Sequence, residues 1–562
     1  MDKKQVAIIG AGISGLVACK YCLSKGFEPV VFESESDIGG VWAKTIKTTR
    51  LQQPKTQYQF SDFPWPSTVT DVFPTQKQIH DYLHSYAKHF DLAPYIKLHS
   101  KVKGISYDGP WSEKWSLWNG TVEAFPPQGK WNVAVENLQS STTQVYTVDF
   151  VIVCLGRFKD VPNIPEFPKG KGPEVFQGQA IHSMKYAAMD NDKAAEFVKG
   201  KKVVIIGFGK TGLDIARECA SVNGPEIPCT VVYRRDHWKL PDWHPWGLSL
   251  AYLYFNRFSE LLVHKPGEGL LLSLIATLLS PLGWGVSKFV ESHINKKYPF
   301  AKFDMVPKQS FSKDTYSCMI SYMPNPDTFF DALEKGSIKM KKSPSYSFYE
   351  KGILIDEDKT KIEADIVIFA TGFKGVEKLK NIFEQSTFGH FITGSPRVPL
   401  YRECIHPRIP QLAIIGFSES FSNIHTSDMR AKWVTALLEG AFKLPSVNEM
   451  QKDIERWDEY MKQSSGEYHH RSSIGALEIW YYDQLCKDMG MNPRRKNGPW
   501  ADLFEPYGPI DYATNSTQYS SILEFPNNQI YLPMGIHSSG ISETVISPTK
   551  KIVGSSLVIR QK

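Results

Sequence analysis

Cysteine is scarce in this sequence, with eight in 562 residues, and the eight are scattered along the chain. The first ten residues, MDKKQVAIIG, also lack the apolar core of a leader peptide and run directly into a predicted strand. Scattered cysteines without a leader are typical of proteins in a reducing compartment. We therefore predict a cytoplasmic location.

Neither sign of charge is in large excess. The 65 lysines and arginines stand against 59 acidic residues, which leaves a formal net charge of +6, and the basic residues form no block. A nucleic-acid-binding surface needs clustered positive charge, so we predict no nucleic-acid partner. The chain does have apolar residues, at 42% of a long sequence, and these suffice for more than one buried core.

Two stretches of the sequence repeat one pattern. VAIIGAGISGLVA occupies 6–18 and VVIIGFGKTGLDIA occupies 203–216, and each joins an apolar β-branched run to glycines spaced G-x-G-x-x-G. This pattern predicts a buried strand, a tight turn and a helix whose N-terminus receives the phosphates of a dinucleotide. Glycine permits the turn, the approach of a pyrophosphate and the close packing of helix against strand. The glycines at this spacing are Gly10, Gly12, Gly15, Gly207, Gly209 and Gly212.

The residues after each repeat distinguish two ligands. After the first repeat, the predicted strand PVVFE ends at Glu33. A carboxylate at this position accepts hydrogen bonds from a ribose and repels a 2′-phosphate. After the second repeat, the predicted strand CTVVYRR reaches Arg234, and the planar guanidinium of this residue fits a 2′-phosphate. We therefore predict FAD or NAD at the first repeat and NADPH at the second. The alternative is that both residues are solvated strand ends.

Cys19 and Cys22 form a C-x-x-C pair, which would be the redox centre of a flavin disulfide reductase. Both lie within the helix predicted after the first repeat, beyond the turn where a helix dipole lowers a thiol pKa. We therefore favour core packing for the pair, with a disulfide reductase as the alternative.

The two repeats and a proline-rich segment set the predicted domain boundaries. RFKDVPNIPEFPKGKGP predicts a linker, and a buried strand ending in ATGF at 370–373 predicts the return of the chain to the first domain. The predicted fold class is α/β with two Rossmann-like dinucleotide-binding domains, the FAD domain in two segments and the NADPH domain inserted between them. The predicted units are the first FAD segment (1–168), the NADPH domain (169–365, with an apolar insertion near 240–300), the second FAD segment (366–510) and a divergent tail (511–562).

One long apolar run interrupts the second domain. Gly269–Ser287 contains 19 residues without a charge, which is close to the length that spans a bilayer. Polar residues and a proline interrupt it, and a crossing would separate two halves of one nucleotide domain. We favour a buried helix, with a membrane-facing patch or an apolar substrate entrance as the second alternative and a spanning helix as the third. The second alternative implies peripheral contact with a membrane such as the ER surface.

The segment FQGQAIHSMKY matches the pattern F-x-G-x-x-x-H-x-x-x-[YFW] with Phe176, Gly178, His182 and Tyr186. Together with both glycine repeats, DFP at 62–64 and ATGF at 370–373, this pattern resembles the flavin-containing monooxygenase family over positions 5–440. LQQPKTQYQFSDFPWP, HWKLPDWHPWGL and FSNIHTSDMRAKW resemble the plant branch that includes a pipecolate N-hydroxylase of systemic resistance. With Tyr186 at the end of the pattern, the chain resembles the N- and S-oxygenating members of the family and not the Baeyer–Villiger relatives.

The resemblance implies which residues bind the cofactors. Those for FAD are Gly10, Gly12, Gly15, Glu33, Gly40, Trp42, Thr371 and Gly372, and those for NADPH are Gly207, Gly209, Thr211, Gly212 and Arg234. His182 and Tyr186 lie between the domains in this family, which implies that they order the linker. Gln52 stands where many members have an asparagine that helps to hold the oxygenated flavin, so Gln52 is the implied catalytic residue, with Gln53 as the alternative.

The resemblance also implies the reaction. NADPH delivers hydride to FAD, the reduced flavin captures O2 as a C4a-hydroperoxide, and a soft nucleophile on the substrate attacks the distal oxygen. This chemistry needs a dry chamber but no catalytic triad and no metal site. We predict N-hydroxylation of an amine, with L-pipecolate as the implied substrate. The alternatives are S-oxygenation of a thioether, an NADPH oxidase that releases H2O2, and a nucleotide sensor that binds FAD without reducing it.

A cyclic amino acid would bring a carboxylate into the site. His425 and Arg430, in the segment NIHTSDMR, are candidates to bind that carboxylate. A structural role for both side chains is the alternative, and we favour it.

Overall fold

Short apolar runs form most strands of the two parallel sheets of this protein, and glycine turns or amphipathic segments connect them. The computed structural model describes residues 3–323, 325–395, 397–466 and 472–513. The predicted tail, 511–562, lies outside the described residues from 514 onward.

The strands of the described residues, in chain order, are β1 (Gln5–Ile9), β2 (Glu28–Phe32), β3 (Ile96–Lys97), β4 (Ser100–Asp108), β5 (Lys130–Asn137), β6 (Thr142–Val148), β7 (Phe150–Val153), β8 (Gln179–His182), β9 (Val203–Ile206), β10 (Cys229–Tyr233), β11 (Lys239–Leu240), β12 (Ser321–Tyr322), β13 (Ile338–Lys342), β14 (Tyr346–Tyr349), β15 (Gly352–Ile355), β16 (Lys361–Glu363), β17 (Ile366–Phe369) and β18 (Leu412–Ile414).

The α-helices of the same residues are α1 (Ile13–Ser24), α2 (Gln76–His89), α3 (Ser183–Ala187), α4 (Asn191–Val198), α5 (Lys210–Asn223), α6 (Leu250–Tyr254), α7 (Arg257–Leu261), α8 (Leu270–Lys297), α9 (Phe311–Tyr316), α10 (Pro326–Glu334), α11 (Gly375–Lys380), α12 (Ser386–Thr393), α13 (Asn423–Glu439), α14 (Val447–Ser465), α15 (Glu478–Asp488) and α16 (Pro499–Phe504).

The first sheet contains the first glycine repeat and has the order β18-β7-β1-β2-β3, with every pair parallel. β1 lies at its centre because both faces of Val6–Ile9 are buried. β18 comes from the chain that follows the second repeat, and it pairs with β7 of the first segment. This pairing confirms that the first domain is assembled from two segments of the chain.

The second sheet contains the second repeat and has the order β13-β10-β9-β17-β8, again with parallel pairs. β17 lies between β9 and β8 of this sheet, so it belongs to the second domain. The predicted boundary at 366, which assigned this strand to the FAD domain, is therefore wrong. A four-residue apolar strand carries no local mark of its sheet, and only pairing with distant strands decides it.

Three smaller sheets lie outside the parallel ones. β4, β5 and β6 form an antiparallel meander, as do β14, β15 and β16. β11 and β12 form a short parallel pair, which brings Lys239 beside Ser321 and Leu240 beside Tyr322. This pair forms part of the wall of the cavity described below.

The long apolar run forms α8, as predicted, but the favoured burial of that helix is wrong. Leu270 is 93% exposed, Leu274 is 57% exposed and Leu278 is 69% exposed. The opposite side of the helix packs against the protein through Ala276, Val290 and Ile294. α8 is long and apolar enough to cross a membrane by length and composition.

Candidate active site

The first glycine turn forms a cradle between β1 and α1. A Cβ on Gly10 would lie 2.7 Å from the Cys154 carbonyl oxygen, and one on Gly15 would lie 1.8 Å from the Gly10 oxygen. Side chains are therefore excluded at both positions. Gly12 precedes α1, and Gly40 lies against it, since a Cβ on Gly40 would meet the Gly12 Cα at 3.1 Å. Gly10, Gly12 and Gly40 line the cavity, and a glycine turn at a helix N-terminus suits a pyrophosphate.

Glu33 lies directly after β2 and is buried beside the first cradle. Its Oε2 accepts a hydrogen bond from the Ala11 N–H at 2.7 Å, and its Oε1 accepts one from the Glu35 N–H at 3.0 Å. These bonds hold the carboxylate at the carboxyl edge of the sheet, where a ribose is bound in such folds. Trp42 lies on the same wall, and its Nε1 donates to the Tyr58 hydroxyl at 3.0 Å.

The second glycine turn forms a similar cradle between β9 and α5. A Cβ on Gly207 would lie 2.5 Å from the Ala370 carbonyl oxygen, and one on Gly212 would lie 2.2 Å from the Gly207 oxygen. A Cβ on Gly209 would meet no heavy atom within 4 Å, so this position is open to a ligand. Thr211, one residue before Gly212, is exposed and lines the cavity.

Thr371 and Gly372 follow β17 at the carboxyl edge of the second sheet. The Ala370 carbonyl crowds Gly207 as the Cys154 carbonyl crowds Gly10, so ATGF is the counterpart of the segment after β7. The Gly372 carbonyl accepts a hydrogen bond from the Asn163 N–H at 2.9 Å, which ties it to the linker. Both residues line the cavity, and their predicted contact with FAD stays a prediction.

Arg234 directly follows β10, and its exposed side chain lines the cavity. The neighbouring lining residues Ser343 and Tyr346 come from the chain after β13. A guanidinium at this strand end is free to bind a phosphate from the cavity side.

The residues of the FQGQAIHSMKY pattern have structural partners. His182 accepts a hydrogen bond from the Met184 N–H at its Nδ1, and its Nε2 lies 2.9 Å from the Gly372 oxygen. Burial lowers the pKa of His182. The Tyr186 hydroxyl donates to Glu218 at 2.7 Å. Phe176 packs on Phe348, and a Cβ on Gly178 would lie 2.5 Å from the Asp365 oxygen.

None of these four residues lines the described cavity. They fasten β8 and α3 beside β17 and α5, and the role of His182 and Tyr186 in ordering the linker stays a prediction.

Both cradles open into one cavity of about 2320 Å³, lined by Gly10, Gly12, Gly207, Gly209, Gln52 and Arg234 among others. Pockets for one small molecule measure roughly 300–1,000 Å³, so this cavity has room for more than one ligand. The two predicted dinucleotide sites therefore share one chamber.

Gln52 reaches across this chamber. Its Oε1 accepts a hydrogen bond from the Tyr322 N–H of β12 at 3.2 Å, and its side chain is exposed to the cavity. Gln53 is buried, and its amide donates to the Phe421 carbonyl. Of the two amides, Gln52 is the one that joins the first domain to the second.

His425 and Arg430 do not line the cavity, which corrects their candidacy as substrate ligands. His425 packs between Tyr482 and Tyr512, and burial lowers its pKa to about 3. Arg430 is buried and donates to the Tyr481 hydroxyl and the Ser418 carbonyl, each at 2.9 Å. Both residues lie on the inner faces of α13, and the structural alternative holds.

Cys19 and Cys22 lie within α1 and are fully buried. Burial raises the pKa of the Cys19 thiol to about 12 and also raises that of Cys22. Neither thiol lines the cavity, so the disulfide-reductase alternative has no site here.

Lys239 is a cavity residue that the sequence analysis missed. It is 2% exposed, and its Nζ lies 4.6 Å from the centroid of the Phe208 ring, within the second glycine turn. The only signal in the sequence is a lysine inside the aromatic segment HWKLPDW. Lysine is almost never fully buried without a partner.

Comparisons with known proteins agree with this geometry. The family model described as Flavin-binding monooxygenase-like matches residues 3–497. The chain is 41% identical to "Probable flavin-containing monooxygenase 1" of Arabidopsis thaliana over 91% of this chain and 96% of that protein. It is 28% identical to "Flavin-containing monooxygenase 5" of Oryctolagus cuniculus over 91% of this chain and 89% of that protein.

Two solved structures share the fold. The S-allyl-L-cysteine S-oxygenase of Allium sativum superposes with a TM-score of 0.54 at 18% identity, over 87% of this chain and 89% of that chain. An oxidized steroid monooxygenase bound to NADP superposes with a TM-score of 0.59 at 17% identity, over 86% of this chain and 97% of that chain.

The chain therefore belongs to the flavin-binding monooxygenase-like family. It is an oxidoreductase, and its cofactors are FAD and NADPH. The residues present fit both groups, because each cradle excludes side chains at its crowded glycines and faces the common cavity.

Proposed function

We propose that this protein N-hydroxylates an amine in the shared cavity, with L-pipecolate as the leading substrate. The observation that carries the proposal is that both glycine cradles line one chamber, so both cofactors meet the substrate in the same space. Tyr186 at the end of the FQGQAIHSMKY pattern favours N- or S-oxygenation, and the choice of an amine, with pipecolate as the substrate, rests on the resemblance to the plant branch. The net reaction consumes one NADPH, one proton and one O2, and yields the hydroxylated amine, NADP⁺ and water.

The cofactors supply hydride transfer and O2 activation, and the protein supplies orientation and a dry environment. We assign Glu33 and the first cradle to FAD, and Arg234 and the second cradle to NADPH. Gln52 holds the two domains in register across the chamber through the Tyr322 N–H. Apolar side chains on the lining, such as Phe208, Phe417 and Phe421, limit the access of water.

S-oxygenation of a thioether is the second candidate. One of the proteins with a similar fold is the S-allyl-L-cysteine S-oxygenase, whose name gives a sulfur-containing amino acid as its substrate. Amine nitrogen and thioether sulfur each carry a nucleophilic lone pair that can accept an oxygen atom, so one chamber serves either reaction.

The test is a coupled assay with the purified, FAD-loaded protein. NADPH and O2 consumption, H2O2 release and oxygenated product are measured with L-pipecolate, with S-allyl-L-cysteine and without substrate. We expect pipecolate to yield hydroxylated product in near-equal amount to the NADPH consumed. Product from the thioether alone would favour the second candidate. Stoichiometric H2O2 under all conditions would contradict both and indicate an NADPH oxidase, and FAD that NADPH does not reduce would indicate a sensor.

We further propose that the protein is cytoplasmic and contacts a membrane peripherally through α8. Leu270, Leu271, Leu274, Leu278 and Leu282 are exposed along the same side of this helix. Trp246 and Trp284 are also exposed, and Lys296 lies 5.3 Å from the Trp246 ring centroid. An apolar stripe bordered by tryptophan and lysine is typical of helices that lie in the interface of an anionic bilayer.

A further inference from the structure

Lys239 is a buried cation that lacks an anionic partner. Within the described part of the chain, its Nζ has neither a hydrogen bond nor an ion pair, although the side chain is 2% exposed. Lys210, the other lysine at the second glycine turn, forms an ion pair with Asp214 instead. A buried charge without a partner costs free energy unless a ligand of opposite charge binds to it.

The two carboxylates whose charges act on Lys239, those of Asp236 and Asp314, already have other partners. Asp236 forms an ion pair with Lys342, and Asp314 binds His237 and accepts a hydrogen bond from the Trp238 N–H at 2.7 Å. Burial lowers the pKa of Lys239 to about 8, while the charges of Asp314 and Asp236 act in the opposite direction. An anion bound from the cavity would favour the charged form of the lysine and raise its pKa again.

The position of Lys239 indicates which anion. Its Nζ lies over the ring of Phe208, which stands between Gly207 and the open Gly209. Arg234, at the end of β10, lies on the same cavity wall. Phosphates of a dinucleotide bind along this edge of a Rossmann sheet, at the glycine turn and at the end of the second strand.

We propose that Lys239 Nζ binds a phosphate group of NADPH. The proposal rests on the assignment of NADPH to the second cradle and extends it by a residue outside the glycine motif. Lysine acts here as a point charge that supplements the guanidinium of Arg234.

The test is calorimetric titration of NADP⁺ and NAD⁺ into FAD-loaded protein without amine or O2 turnover. Lys239→Met keeps most of the length of the side chain and removes the charge, and we expect its Kd for NADP⁺ to rise by about 10- to 100-fold. Lys341→Met is the matched control, since Lys341 lies on β13 outside the cavity lining and pairs with Asp358. We expect that control to bind NADP⁺ as the wild type does.

The two nucleotides identify the phosphate. If Lys239 binds the 2′-phosphate, Lys239→Met weakens NADP⁺ and leaves NAD⁺ unchanged. If it binds the pyrophosphate, both weaken by the same factor. Lys239→Arg keeps the charge and is expected to bind NADP⁺ more tightly than Lys239→Met, and bound FAD and the melting temperature verify that each variant folds.

An NADP⁺ affinity of Lys239→Met within twofold of the Lys341→Met control would overturn the proposal. A rise in the KM for amine without any change in NADP⁺ affinity would overturn it as well and would make Lys239 a substrate ligand. Because the titration contains no amine, failure of the proposed N-hydroxylation leaves its result unaffected.

Discussion

Gly209 and Gly212 belong to one motif, yet their surroundings differ. A Cβ at Gly212 would meet the Gly207 oxygen at 2.2 Å, whereas a Cβ at Gly209 would enter open space. Gly209 has a φ of −83°, close to the −76° of Gly12 in the first repeat, and alanine adopts this conformation without strain. At the residue scale, one glycine therefore serves the fold and the other serves the ligand.

These surroundings predict different outcomes for two alanine variants. We expect Gly212→Ala to lose about 1–3 kcal/mol of unfolding free energy, because the new methyl group overpacks the turn. Gly209→Ala should keep its stability and lose about tenfold or more in NADP⁺ affinity, because the methyl group blocks the approach of a phosphate. Thermal melts and NADP⁺ titrations check both, and wild-type NADP⁺ affinity in Gly209→Ala would contradict the assignment.

Arg234→Ala is the corresponding test of the 2′-phosphate. We expect the NADPH concentration needed for flavin reduction to rise by about 10- to 100-fold, since one charge-assisted contact is lost. The reduction by NADH should not change, because NADH has no phosphate there. Anaerobic stopped-flow reduction with each nucleotide measures this, and equal losses would place the 2′-phosphate elsewhere.

His425 predicts how stability depends on pH. Its pKa falls from 6.5 to about 3 because burial disfavours the charged ring, with Asp428 opposing and Lys432 reinforcing that shift. The unfolded chain therefore binds a proton that the folded chain does not, and stability falls as the pH drops from 6.5 toward 3. The expected slope is about 1.4 kcal/mol per pH unit for this one group.

His425→Phe should remove that part of the slope, because phenylalanine fills the space between Tyr482 and Tyr512 without titrating. Urea unfolding between pH 7 and pH 4.5 measures the slope in both proteins. His244→Asn, at an exposed histidine, is the control and should retain the wild-type slope. An unchanged slope in His425→Phe would show that His425 is protonated in the folded state.

At the scale of elements, α8 is the helix whose two sides have different environments. Its inner side packs on the second domain, whereas the leucines on its outer side are exposed. Removing an exposed leucine from water contributes roughly 1.5–3 kcal/mol, so a few of them suffice for membrane binding.

Leu274→Glu with Leu278→Glu should therefore abolish most of the binding to vesicles of phosphatidylcholine with phosphatidylserine. We expect the bound fraction to fall about tenfold or more, because two charges enter the interfacial face. Lys77→Glu makes the same change of net charge on α2, at an exposed site, and should bind as the wild type does. Co-sedimentation measures this, and equal binding by all three proteins would contradict the membrane proposal.

At the scale of the whole molecule, polar contacts beside the chamber join the two domains. Gln52 accepts from the Tyr322 N–H, and the Thr49 hydroxyl donates to Asp214 of α5 at 2.6 Å. Such contacts keep the two cofactor sites in a fixed arrangement, which oxygen transfer requires.

Loss of the Gln52 amide should uncouple NADPH oxidation from product formation. We expect Gln52→Ala to raise the share of NADPH that ends as H2O2 by about fivefold. This factor corresponds to about 1 kcal/mol, the net contribution of one neutral hydrogen bond. Gln52→Asn retains an amide and should stay closer to the wild type. Simultaneous measurement of H2O2 and product checks this, and full coupling in Gln52→Ala would exclude the proposed role.

Much of this site was readable from the sequence because its signals are local. The glycine spacing lies within one strand-turn-helix unit, and Glu33 and Arg234 lie at the end of the strand that follows it, so short-range geometry defines them. The two-segment first domain was predicted as well, but from the strand that ends in ATGF. That strand, β17, lies in the second sheet, and it is β18 that returns to the first one. The family was readable for the same reason, since its pattern occupies consecutive positions from Phe176 to Tyr186.

What remained depends on contacts between distant segments, and only the tertiary structure decides it. β17 joins the second sheet because it pairs with β9 and β8, and an apolar strand has no local preference between sheets. His425 faces tyrosines and not the cavity because α13 is buried on nearly all sides. α8 is exposed and Lys239 is buried, although composition suggests the reverse, because burial is set by what packs against a residue and not by its own polarity.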